Sequence, residues 1–534
     1  MSKTLSNFIF IIALSLVIVN CANRGTPSGG EIDKTPPVIV KSIPENYSTN
    51  FSAKEIRIYF DEYVKTKNLQ QQLIISPPMK SQPEITPLGS ASKYINIKIY
   101  DTLLPNTTYA FNFGNSIVDN NEENPYPYYR YVFSTGENID SLTVSGNIMD
   151  NLEREADDFV SIMLYEVDST FTDSIIFNEV PKYITNTLDS TTAYTIENIK
   201  AGKFLLLALK DENSDNKFQP KSDKIAFHKS FITIPTDSIY NLKLFKEVLD
   251  FKIIKPRLIS GEKIAFGYQG NYENTQINIQ SNVPNNFTYR IAKDAETDSL
   301  NYWYKPRMEV DSLLFNVKNK NYSEDFTVKI SVQERDTLVV KSNPVGTIHF
   351  NDQFKISGNV PFTAIDTTKI KLIDKDSVAI DYSVKLDSIN NTYVFDFKKT
   401  ESNTYRFSAI PNAFKDFFED TNDTLNYTIR TKTFNDYGNV RITLKNATYP
   451  VIVQLTDDKG DVKEEKYSAK PELLDFKNIN PNKYYLRVIY DTNKNGKYDS
   501  GNYLKKQSPE RVSYFPELLD VRAGWDLIED FTLN

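Results

Sequence analysis

One cysteine, two histidines and two tryptophans are all that 534 residues provide of those types. A single thiol rules out a disulfide framework and a cysteine zinc site. Lys and Arg never gather into a block, and the formal charge of −8 is small for the length, which argues against a partner read through its phosphates. Long Ala/Leu/Glu stretches of helical period are scarce. Past the first twenty residues no apolar run approaches the ~18 residues of a membrane helix. The H-E-x-x-H, G-x-S-x-G, Walker and Rossmann glycine patterns are absent. His228 and His349 lie far apart on strand-like segments and read as sheet residues rather than as a base or a ligand pair. A glycosidase needs only two carboxylates, which no motif excludes, but a string of small domains supplies no deep cleft for them. The chain reads as non-catalytic.

What is abundant is Tyr and Phe, 33 of each, set among Val, Ile and Thr runs that alternate with polar residues. That pattern predicts an all-β chain, and the length exceeds what one core of ~250–300 residues can serve. At the N-terminus, FIFIIALSLVIV (8 to 19) is too short for a comfortable span and reads as a signal-peptide core. It ends at Ile18-Val19-Asn20-Cys21, which resembles the lipobox of bacterial lipoproteins, with Asn20 departing from the usual small residue. The resemblance implies acylation of Cys21, each buried CH₂ adding ~0.8 kcal/mol of membrane affinity. Ala22 after the cysteine makes the outer membrane the expected address, on either its surface or its periplasmic face.

A Gly/Pro/Ser-rich tether (22 to 36) leads to strands at 55–60, 71–76, 94–100, 108–113 and 128–135. The stretches TPPVIVKSIPENYSTNF, IRIYFDEYV, LLPNTTYAFNFGNSIVDNNEENP and YVFSTG resemble the bacterial Ig-like domain of envelope lipoproteins. Together with the CANRGTPSGG leader they resemble long flavobacterial (Bacteroidetes) outer-membrane lipoproteins, whose implied role is not enzymatic.

Residues 196–218, IENIKAGKFLLLALKDENSDNKF, match 476–498, FKNINPNKYYLRVIYDTNKNGKY, without gaps at an offset of 280. This internal repeat implies two domains of one fold. In each a strand runs straight into an acidic loop, a pattern that looks like the transthyretin-like or carboxypeptidase-regulatory sandwich. The expected organisation is a signal peptide (1–20), lipidated Cys21 and tether (21–36), an Ig-like domain (37–138), a transthyretin-like sandwich (139–250), two further sandwiches (251–350 and 351–435) and a second transthyretin-like copy (436–534), strung as a rod.

The loops carry the candidate ligands. Asp491, Asn493, Asn495 and Asp499, with Gly496 at the sixth place, copy the front of a calcium loop, and Asp211, Asn213 and Asp215 stand in the first copy. A preceding strand and Asn502 at the twelfth place exclude an EF-hand. Two readings stay open: bound Ca²⁺ that stiffens the loop, or Asx-turns that need no metal. In NPYPYYRYVF (124 to 133), Tyr129, Tyr131 and Phe133 alternate on one face as a core strand, while Tyr126 and Tyr128 beside prolines are candidates for an exposed platform for a glycan or protein partner. Trp303 and Trp525 are weaker candidates of the same kind. The expectation is an outer-membrane lipoprotein serving as scaffold or accessory subunit, with an envelope β-barrel as partner; the rival is a glycan-binding surface lipoprotein.

Overall fold

A computed structural model describes residues 33–188 and 191–533, so Cys21 and the signal segment lie outside the described residues. Among the described residues the α-helices are two single turns, Leu69–Gln72 and Ile175–Asn178, and everything else that is regular is strand or 3₁₀ turn. The chain is all-β, a tandem of small sandwiches. It divides into two compact units, one running through Thr143 with Lys182–Leu188 and Ile196–Ala201, the other taking the remainder.

In the first unit, Ile39–Ile43, Glu55–Thr66, Ser92–Lys98 and Glu84–Thr86 form one sheet in that order, and Ile74–Ser76, Thr108–Asn112 and Arg130–Ser134 form the facing one. This is the two-sheet strand order of Ig sandwiches. The core follows from strand alternation: Ile56, Ile58 and Phe60 point inward against Ile95, Ile97, Phe111 and Phe133. The L-P-N-T-T-Y phrase has a physical reason. Tyr109 is buried, and its hydroxyl accepts the Leu104 N–H at 2.9 Å, fixing the corner before the strand.

The second unit holds four sandwiches. In the one after the Ig-like domain, Gly202–Lys210 is central, pairing with Ser161–Glu166, Lys224–Phe227 and Ile232–Ile234, while Leu242–Leu244 runs parallel to Leu142–Asp150. The last sandwich repeats this plan: Asn482–Tyr490 pairs with Val451–Thr456, Val512–Tyr514 and Leu519–Val521, and Asp526–Thr532 runs parallel to Gly438–Lys445. Asn198 and Asn478 share a left-handed backbone, φ 60° and 54°, ahead of fully buried Ile199 and Ile479.

The two middle sandwiches also have the Ig strand order. The third places Lys252–Ser260, Lys263–Gln269, Ser299–Lys305 and Thr288–Lys293 against Gln276–Ile279, Ser312–Asn319 and Tyr322–Lys329. The fourth places Val340–Asn343, Phe354–Gly358, Thr392–Phe397 and Tyr382–Asp387 against Ile370–Ile373, Thr404–Ala409 and Leu425–Arg430. The expected boundary at 350 is therefore corrected, because Val340–Asn343 pairs with Phe354–Gly358 and belongs to the fourth sandwich.

The fourth sandwich is a second copy of the first. LVVKSNP (338–344) stands where VIVKSIP (38–44) does, and both end on a cis proline, Pro344 and Pro44. Tyr405 accepts the Thr400 N–H at 2.7 Å as Tyr109 accepts that of Leu104. Thr135 Oγ1 accepts from Thr107 N–H at 2.9 Å, and Thr431 Oγ1 from Asn403 N–H at 3.1 Å. Asp119 and Asp416 each fold a loop around one carboxylate oxygen that takes the N–H groups of following residues. An Ig-like sandwich followed by one of the second sandwich's plan thus occurs twice, with the third sandwich between the two pairs.

Candidate functional site

The acidic loops are built alike. Asp491 accepts the N–H groups of Asn495 (3.1 Å) and Gly496 (2.8 Å), and Asp211 those of Asn213 (3.1 Å) and Asn216 (2.7 Å). The sixth place needs a left-handed backbone in both, φ 72° at Gly496 and 58° at Asn216, which Gly and Asn tolerate. A second carboxylate closes each loop. Glu510 accepts Thr492 N–H (2.7 Å) and Asp499 N–H (3.1 Å); Asp223 accepts Glu212 N–H (3.3 Å) and Gln219 N–H (2.7 Å). Sequence matching missed Glu510 and Asp223 because the spacing to the closing acid differs between copies.

The test for calcium is whether oxygens converge. The amide nitrogens of Asn493 and Asn495 both donate to Asp499 Oδ2, at 2.6 and 2.7 Å, and Gln219 Nε2 donates to Asp215 Oδ2 at 2.6 Å. Loop N–H groups therefore occupy the carboxylates that would ligate, and no group of three or more His, Cys, Asp or Glu among the described residues is placed to hold a metal. Asp491, Asn493, Asn495, Asp499, Asp211, Asn213 and Asp215 form Asx-turn frameworks, and this donor set does not fit Ca²⁺ as arranged.

The second loop has another task. Asn151, from the second sandwich, donates to Glu510 O at 2.8 Å and to Tyr498 Oη at 3.0 Å. Beside it Arg487, only 5% exposed, donates to Gln454 Oε1 at 2.6 Å and to the Leu152 carbonyl at 3.0 Å, which Tyr514 Oη also reaches at 2.6 Å. Arg154 lies over the Tyr485 ring at 4.7 Å. The same register row in the second sandwich is Met163, Leu207 and Phe227, where the last sandwich has Gln454, Arg487 and Tyr514. An apolar row became polar where a backbone segment of another sandwich docks on it.

Further contacts fix the remaining neighbours. Trp303 is buried with Ala292 against Val360 and Phe417, joining the third and fourth sandwiches. Glu262, its side chain fully buried, holds Arg307 and, from the connecting segment, Arg335, which stacks 3.8 Å over Phe418. Burial pushes the Glu262 carboxyl up, but the guanidiniums of Arg335 and Arg307 bring it below the ordinary carboxylate range. His349 Nδ1 lies 2.9 Å from Tyr437 Oη, and Asn351 donates to Lys477 O at 2.9 Å, joining the fourth and fifth sandwiches. His228 Nδ1 sits 2.7 Å from Ser230 O. In the second unit, contacts run from third to fourth to fifth sandwich, and the fifth returns to the second. Within the second unit the four sandwiches are therefore not strung end to end.

The aromatic platform is also corrected. Tyr129, Tyr131 and Phe133 are buried as a core strand, but Tyr126 packs edge-on against Tyr129 at 5.7 Å and 88°, leaving Tyr128 alone exposed. Trp525 is exposed with the Arg522 guanidinium 5.3 Å over its ring.

These observations define a protein of tandem β-sandwiches, Ig-like in strand order at the first, third and fourth. Residues 33–135 match the family described as bacterial Ig-like domain. Comparison with curated proteins finds no match. Among solved structures, domains 1–6 of the surface layer protein SbsC share 12% identity over 91% of this chain and 67% of that one, with a TM-score of 0.17. The tandem Ig repeats of Dlar share 15% over 34% of this chain and 98% of theirs, TM-score 0.13. An I-band fragment of titin shares 14% over 52% of this chain and 98% of its own, TM-score 0.12. Likeness of this degree carries no argument about this chain. No helix among the described residues is long and apolar enough to cross a membrane.

Proposed function

We propose that the chain is a non-catalytic outer-membrane lipoprotein, anchored through Cys21, that acts as scaffold or accessory subunit for an envelope protein complex. The partner in view is a β-barrel machine for outer-membrane protein assembly, secretion or uptake. The observation that carries the reading is the buried Arg487, whose acceptors come from two sandwiches: such a lock fixes surfaces relative to one another, which a scaffold needs and a flexible tether does not. The bacterial Ig-like domain at 33–135 supports a place at the cell envelope.

Two measurements test it. Fatty-acid labelling should mark the wild-type chain and not Cys21→Ala, which should be released from membranes. Affinity capture from detergent-solubilised outer membranes should recover a defined β-barrel protein in constant ratio to the chain. An unlabelled wild-type chain, or recovery of the chain alone as a monomer, would sink the proposal.

A further inference from the structure

The two Ig-like copies act as controls for each other. In both, one row of the sheet that begins with Ile39–Ile43 or Val340–Asn343 faces solvent at the same register. In the first copy it reads Lys41, Tyr59, Tyr94; in the fourth sandwich it reads Lys341, Ser357, Thr392. The fold stands with small hydroxyl residues there, so the tyrosines are not required by packing.

The face around them is organised. The Tyr59 and Tyr94 rings lie 5.6 Å apart. Lys41 sits 5.1 Å from the Tyr59 ring, and Lys93 sits 5.6 Å from that of Tyr63. Tyr63 is 56% exposed and Tyr94 41%. The carboxylates here are mostly engaged: Glu55 pairs with Arg57 at 3.0 Å and Glu84 with Lys98 at 3.7 Å, while Asp61 Oδ1 accepts the Val38 N–H at 2.8 Å. Lys41 and Lys93 are the cations set beside rings without a carboxylate of their own among the described ion pairs.

We propose that this face binds an anionic polysaccharide, with sugar rings stacked on Tyr59, Tyr63 and Tyr94 and carboxylates met by Lys41 and Lys93. Tyrosine rings on an exposed sheet face offer apolar surfaces to sugar C–H groups, and the ammonium groups select for uronate over neutral sugars. A protein interface fits less well, because lysine and glutamate are depleted from interface cores and are plentiful here. Nucleic acid fits less well again, since two separate lysines beside rings offer no continuous cationic track for a phosphate backbone. The proposal is independent of the scaffold reading, and it moves the sugar platform away from Tyr126 and Tyr128.

The test is affinity electrophoresis of the full chain through gels containing polygalacturonate, with dextran as the neutral reference. Wild type should be retarded by polygalacturonate and not by dextran. Tyr59→Ser with Tyr94→Thr, which installs what the fourth sandwich carries, should weaken binding at least tenfold, and Lys41→Gln with Lys93→Gln should do the same. Equal mobility in the two gels overturns the proposal, as does equal retardation by dextran. Retention of wild-type binding by either variant pair also overturns it. The lysine pair is exposed and serves as the arbiter if the tyrosine pair does not fold. Capture of the envelope partner by these variants would be unchanged, which separates the two proposals.

Discussion

Arg487 offers the sharpest perturbation. Replacing it by Ala removes the donors to Gln454 Oε1 and to the Leu152 carbonyl, 2.6 and 3.0 Å away, at a position 5% exposed. Hydrogen bonds from a charged donor contribute about 1.5–3 kcal/mol each, and recovering the desolvation of the guanidinium offsets part of two such bonds, so the net cost is about 2–4 kcal/mol. The loss falls on the docking of the fifth sandwich on the second, not on the core of either. Since ~1.4 kcal/mol is tenfold, amide exchange in 150–154 and 510–516 should quicken by about 30- to 700-fold. Exchange in the first sandwich should not change. Arg487→Leu, which restores the residue of the other copy, should also open the interface while leaving the fifth sandwich folded. Unchanged exchange at 150–154 in both variants would refute the idea that this buried polar row holds the two sandwiches together.

Three further outcomes are expected. Tyr109→Phe and Tyr405→Phe each leave a corner N–H without its acceptor, at Leu104 and Thr400, and should destabilise their own sandwich by about 1–2 kcal/mol in denaturant titration; an effect on only one copy would contradict their equivalence. Glu262 is held below the ordinary carboxylate range, so its stabilising pairs are present above the unfolded carboxyl pKa near ~4.3 and are lost as pH falls through the folded value. Acidification below about pH 4.5 should therefore loosen the junction of the third and fourth sandwiches. Trp303 fluorescence will report this, and Glu262→Gln should flatten the acid limb; an identical acid limb in the variant would count against the pairing. Because loop N–H groups fill the carboxylates of Asp491 and Asp211, excess EGTA should leave the melting temperature unchanged, and a drop of several degrees would place a metal in the loops after all.

Much was legible in the chain. Alternation of Ile56, Ile58 and Phe60 with Glu55, Arg57, Tyr59 and Asp61 specifies a half-buried strand whatever it packs against, because side chains of a strand alternate faces. The match of 196–218 to 476–498 revealed one repeat. The second repeat was also written there, in VIVKSIP and LVVKSNP and in the tyrosines five residues after Leu104 and Thr400, but short matches at shifting offsets stand out only once register aligns them.

Local order, then, is what the sequence by itself determined: all-β sandwiches, the likeness of the loops at Asp491 and Asp211, and the burial of Tyr131 and Phe133. Each depends on a period or a spacing within a few residues. Only the tertiary structure decided that Tyr126 packs, that Trp303 joins two sandwiches, and that Arg487 reaches Leu152 from 335 residues away. Such contacts depend on which surface meets which, and a buried arginine in a strand has the same local signature as an exposed one until its acceptors are in place.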